Sequence, residues 1–102
     1  MSELNEMISI VTRFRDERNW KQFHNPKDIA MALSIEASEL LEHFLWISQD
    51  ESFEVIERKK EAIKDEMADV FAYLLALSDT AGIDLEEALK NKMKKNEEKY
   101  PV

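Results

Sequence analysis

Four carboxylates in two short motifs, "EASE" (Glu36, Glu39) and "EMAD" (Glu66, Asp69), hold most of the chemical potential of this chain. Residues three or four apart share one face of a helix, since each step turns ~100° about its axis. With Glu36 as origin, Glu39, His43 and Trp46 fall at about 300°, 340° and 280° on such a helix. The apolar stripe of Leu33, Ala37, Leu40 and Phe44 runs beside them. Glu66, Asp69 and Tyr73 repeat the arrangement at about 0°, 300° and 340°, beside Ile63, Met67, Val70 and Leu74.

Two helices packed antiparallel would bring the four acids together, where they repel one another unless a cation neutralises them. An all-oxygen ligand set suits Mg²⁺, with Mn²⁺ as the alternative. Acids at this spacing are also common on solvated helix faces, so the pattern by itself leaves both readings open. Other chemistries are poorly supplied. The Glu-x-x-His pairs of a dimetal oxidase bundle are missing, as is His-Glu-x-x-His. A single glycine rules out a Gly-rich phosphate loop, and the absence of cysteine removes thiolate metal sites and cysteine nucleophiles.

Lys92 and Asn96 continue the inward stripe of Leu85 and Leu89 and could reach a site from the last helix; a surface lysine with its stem on apolar neighbours fits the same spacing. Trp20, Phe23, His24, Trp46 and Tyr73 could wall a pocket for a planar base, or belong to the core.

The elements that must position these groups are helical. One glycine, two prolines and abundant Leu, Ala, Glu and Lys point to an all-α fold in one domain over residues 1–102. Ser2 caps a first helix carrying Leu4, Met7, Ile8, Val11 and Phe14, which should fade near Asn19. Asn25-Pro26 starts a second helix with a core stripe of Leu33, Ala37, Leu40, Leu41 and Phe44. The polar "SQDES" at 48–52 should break it. A third segment runs from "FEVIERKKEAIKDE" to Gly82, as one long helix or a short one followed by a long one. Asp84 and Glu87 open a last helix toward Tyr100-Pro101, giving about four helices in all.

A formal charge of −8 argues against binding a nucleic-acid polymer, although metal ions could still bridge a polyphosphate to the acids. Acidity as a source of solubility is the simpler reading of the charge. Neither a membrane span nor a secretory leader is visible, so a cytoplasmic location is expected.

The motifs resemble those of the MazG-like, all-α nucleotide pyrophosphohydrolases, whose signature is E-x-x-E followed by E-x-x-D, here separated by residues 40–65. The likeness extends from "RNWKQFHNPKDIAMALSIEASELLEHFLW" through "DEMADVFAYLLALS" to "KMKKNEEKYP", and is greatest to the dCTP pyrophosphatase branch. It implies a four-helix-bundle-like protomer in a homodimer or homotetramer. It also implies Mg²⁺-dependent cleavage of a (d)NTP, dCTP or a modified dCTP among them, to a monophosphate and pyrophosphate, as nucleotide-pool clean-up. Glu36, Glu39, Glu66 and Asp69 would hold metal, with Glu36 or Glu39 as the base. Lys92 and Asn96 would contact phosphate and nucleotide, Trp46 and Tyr73 would border the nucleotide, and Trp20 and His24 match the W-x-x-F-H segment. The resemblance gives His43 no role. The rival expectation is a non-catalytic helical module that binds nucleotide or a partner protein.

Overall fold

The computed structural model describes residues 2–102. Among them are five α-helices and no strand: α1 (Glu3–Glu17), α2 (Pro26–Glu42), α3 (Gln49–Arg58), α4 (Lys60–Ala81) and α5 (Leu85–Lys99), with a short 3₁₀ turn at Lys21–Phe23 between the first two. Side chains close the helix starts as the sequence predicts. Ser2 Oγ accepts the Asn5 N–H at 3.2 Å, Asn25 Oδ1 the Asp28 N–H at 2.9 Å, and Asp84 Oδ1 the Glu87 N–H at 3.1 Å. Asn19 turns the chain out of α1 with φ 57°, and Gly82 ends α4 with φ 67°. The Gly82 conformation lets the Ile83 N–H reach the Ser78 carbonyl at 3.0 Å.

The "SQDES" stretch is not the break expected of it. Ser48 is an N-cap, accepting the Glu51 N–H at 3.1 Å, while its hydroxyl donates to Glu51 Oε1 at 3.1 Å. The polar run therefore starts α3 rather than interrupting a helix, and the turn falls earlier, at residues 43–47. Ser48→Ala should lower unfolding free energy by about 1 kcal/mol, readable in a urea titration, with Ser48→Asp close to wild type. The third segment is the short-then-long alternative, divided at Lys59, whose N–H returns to the Val55 carbonyl at 2.8 Å. That division makes five helices where about four were expected.

Helix α4 is the centre of the molecule, packing most extensively on α2, then on α1 and α3. Among the described residues the buried apolar ones are few: Ile29, Val55, Ile63, Leu75 and Ala76. Several expected core positions stay open instead. Leu41 is 58 % exposed, and Phe14, Met67 and Leu89 are also exposed, as is Ala37. A radius of gyration of 16.3 Å exceeds the about 13 Å of a closed 100-residue domain. The other helices of the chain leave these faces uncovered. No helix among the described residues is long and apolar enough to cross a membrane.

Candidate active site

Helices α2 and α4 bring the two acid motifs together. One oxygen each from Glu36, Glu39 and Glu66 lies within 4.8 Å of the others, and all three side chains are half-buried. Burial pushes the Glu36 carboxyl above its ordinary value, aided by the charge of Glu39, a hydrogen bond with it, and the charges of Asp69 and Glu66. Glu66 is raised for the same leading reason, burial, followed by Glu39 and, more weakly, Asp69, with His43 opposing. Its Oε2 is buried without a hydrogen-bond partner among the described residues.

These observations fit a hard divalent cation. Oxygens on opposite sides of a Mg²⁺ stand about 4.2 Å apart, so small side-chain adjustments would close the trio on an ion. A cation would also satisfy the orphaned Glu66 oxygen and remove the repulsion that raises Glu36 and Glu66. Asp69 is outside the tight trio and more exposed, yet near enough for its charge to act on both.

Asp69 also joins the acids to a pocket. Two adjoining cavities of about 240 and 170 Å³ share Trp20, His24 and Tyr73 as walls. Phe23, Asp28, Ile29 and Ala32 complete the first; Val11, Phe14, Arg15, Asp69, Ala72 and Ala76 complete the second. Together they fall within the roughly 300–1,000 Å³ of ordinary ligand sites. Trp20 is fixed edge-on against Phe14, with ring centroids 5.7 Å apart at 70°. Burial, and then the Arg15 charge, hold His24 below the usual imidazole range, and its Nδ1 is buried without a partner among the described residues. A neutral imidazole between aromatic walls offers one polar atom to a ligand lying flat in an apolar slot.

Trp20, His24, Tyr73 and Asp69 thus meet around one cavity, and Asp69, three residues after Glu66 on α4, links it to the acidic trio. The other expected contacts are elsewhere in a single chain. Helix α2 ends at Glu42, so Trp46 leaves the stripe computed for a continuous helix; its φ is 66° and its side chain is 97 % exposed. Lys92 is exposed on α5, and Asn96 donates to Met93 Sδ at 3.7 Å within its own helix. Neither lines the cavities beside the acids. His43, at the end of α2, contributes charge next to Glu66.

Arg15 is the pocket residue that spacing arguments passed over. The signal was present: Ile8, Val11 and Arg15 follow one another at steps of three and four, so a charge occupies the next place on the apolar stripe.

The MazG-like family model matches residues 31–102. In an alignment of 101 positions that covers 97 % of its length, the chain is 38 % identical to rat dCTP pyrophosphatase 1 and 35 % identical to the human protein. It spans 59 % of the length of these curated relatives. The crystal structure of a pyrophosphatase from Archaeoglobus fulgidus superposes with a TM-score of 0.96 at 50 % identity, covering all of this chain and 95 % of that one.

Proposed function

The chain belongs to the MazG-like family, and from that premise we propose that it is a divalent-metal-dependent nucleoside triphosphate pyrophosphohydrolase of the cytoplasm, with dCTP or a modified dCTP as the first substrates to try. The single observation that carries this reading is the convergence of Glu36, Glu39 and Glu66 one helical turn from Asp69, which lines a cavity walled by Trp20, His24 and Tyr73. An acidic cluster alone would suit many cations; an acidic cluster next to an aromatic slot suits a cation that carries a nucleotide polyphosphate.

Glu36, Glu39, Glu66 and Asp69 would hold Mg²⁺, or Mn²⁺ in its place. When bound, the ion supplies charge neutralisation of the triphosphate and polarisation of the phosphoryl group. The protein's own groups do the rest. Trp20, Tyr73 and His24 orient the base so that the phosphate chain points toward the acids. Glu39 or Glu36 accepts a proton from a water whose oxygen attacks the α-phosphorus. The bond from that phosphorus to the α,β-bridging oxygen then breaks, leaving a monophosphate and pyrophosphate. Retention of the pyrophosphate as one unit is what separates this reaction from stepwise loss of orthophosphate.

Lys92, Asn96 and Trp46 enter this scheme through a second copy of the chain. Leu41, Phe53 and Trp46 are 58 %, 73 % and 97 % exposed, large apolar side chains that the single chain leaves open. A homodimer or homotetramer would cover them and could bring α5 and the α2–α3 turn of one protomer to the acids of another. Light scattering after gel filtration should give a mass at least twice the 12.0 kDa of the chain. A monodisperse 12.0 kDa species at micromolar concentration would contradict the shared site.

The decisive assay incubates the protein with the four canonical dNTPs, the NTPs and 5-modified dCTPs in the presence of Mg²⁺, and identifies the products. Pyrophosphate and a monophosphate are expected. Orthophosphate as the first product, or no turnover of any nucleotide together with no Mg²⁺ binding, would refute the assignment and favour a non-catalytic module.

A further inference from the structure

Arg15 is 5 % exposed, on the helix that forms one side of the cavity, and it is tied in three directions. Its Nε donates to Asp16 Oδ1 at 2.9 Å, and its Nη1 donates across to Asp79 Oδ2 on α4 at 3.1 Å. Its carbonyl accepts the Trp20 N–H at 3.0 Å and the Arg18 N–H at 3.3 Å. One residue therefore connects the end of α1, the turn that carries Trp20, and the helix that carries Glu66, Asp69 and Tyr73. The same side chain lines the cavity with Trp20, His24, Asp69 and Tyr73.

We propose that Arg15 is a positioning residue for substrate, fixing the aromatic wall of the cavity at a set distance from the acids on α4 by clamping α1 and the Trp20 turn to Asp79. The inference rests on the pyrophosphohydrolase reading above and adds to it a determinant of nucleotide binding outside the acid motifs.

Stability alone is a weak reason for such an arrangement. Ion pairs whose carboxylates are about half-exposed, as Asp16 and Asp79 are, contribute little to stability. What an apolar residue cannot reproduce is direction. A guanidinium held by two carboxylates fixes both the rotation of α1 and the path of the chain after it. Asp79 is ten residues beyond Asp69 on one continuous helix, an axial offset of about 15 Å, so the clamp and the acids share a rigid frame. Trp20 has no such support from a helix of its own; it precedes a three-residue 3₁₀ turn.

The raised pKa of Arg15, held up first by the hydrogen bond to Asp16 and then by Asp79, keeps the clamp charged throughout the working pH range. Asp16 is correspondingly held below the usual carboxylate value.

Steady-state kinetics on Arg15→Met, Arg15→Lys and Asp79→Asn test the assignment, with circular dichroism confirming the fold. Loss of the clamp should raise KM by about tenfold or more, a loss of about 1.4 kcal/mol of binding shared by ground and transition states. Because the acids are untouched, kcat should stay within about threefold and Mg²⁺ affinity should be unchanged. Arg15→Lys keeps a charge for Asp79 but loses the fork, so its KM should lie between wild type and Arg15→Met. Should Arg15→Met not fold, Asp79→Asn carries the same KM test. A KM within about twofold of wild type in a folded clamp variant overturns the inference. So does an equal fall in kcat and kcat/KM, or an Arg15→Lys protein no closer to wild type than Arg15→Met. Turnover by the wild type separates this outcome from failure of the underlying reading: an inactive wild type removes both, whereas an active one with unshifted variants removes only the role of Arg15.

Discussion

Glu39→Gln should abolish turnover and, in the absence of metal, make the protein more stable. Glu39 is the member of the trio whose charge raises both Glu36 and Glu66. Gln keeps the shape and removes the charge, so a ligand and a candidate base are lost together. A general base is worth about 10²–10⁴-fold, and a weakened metal site adds to that, so kcat should fall at least a thousandfold or so. The opposite movement of stability identifies the cause. Removing one of several mutually repelling acids relieves the metal-free protein, so its thermal midpoint without Mg²⁺ should rise above that of wild type at pH 7–8. Added Mg²⁺ should then stabilise wild type strongly and the variant little. A scaffold role for Glu39 would instead leave both turnover and the response to Mg²⁺ unchanged. A fall in metal-free stability would show that the carboxylate makes a structural contact the repulsion argument omits.

How much of this was legible in the chain depends on whether the relevant signal is local. The acid spacing in "EASE" and "EMAD" needs only helical geometry, and both motifs fall well inside helices, so Glu36, Glu39 and Glu66 converge as the face angles require. Caps are likewise local, and Ser2, Asn25, Gly82 and Asp84 all act where the sequence places them. Trp46 shows where the argument fails. Its face angle assumed an unbroken helix, but the chain leaves α2 at Glu42 because Ser48 and Glu51 build a competing helix start. The polar residues that looked like a breaker were a cap, and the break moved upstream of them. Leu41 and Leu89 fail for another reason. Periodicity marks which face of a helix is apolar, not whether another helix of the chain comes to cover it. Arg15 needed the tertiary partner Asp79, 64 positions away, before its place on an apolar stripe made sense.

Removing divalent metal should eliminate activity and reveal a pH dependence of stability that Mg²⁺ suppresses. The carboxyls of Glu36 and Glu66 have ordinary values of 4.5 in the unfolded chain and are raised in the folded one, chiefly by burial and then by Glu39. Between the unfolded and folded values the native protein holds more protons, so the slope of unfolding free energy against pH is negative there. Metal-free stability should therefore fall as pH rises from about 4.5 through the raised values and level off above them. His24 works in the other direction. Its folded value is below 6.5, so folding is disfavoured as pH drops through that range. Comparison with Glu39→Gln cancels this contribution, because His24 is common to both proteins, and isolates the acids. At pH 7–8, Mg²⁺ at a hundred times its Kd should add about 2.7 kcal/mol to wild type. That increment should shrink as pH approaches 4.5 and protons compete for the same oxygens. Differential scanning fluorimetry over pH 4–8, with EDTA or with Mg²⁺, reads both curves. A Mg²⁺ increment that stays constant down to pH 4 would place the ion away from these carboxylates. Full turnover in EDTA would remove metal from the reaction altogether.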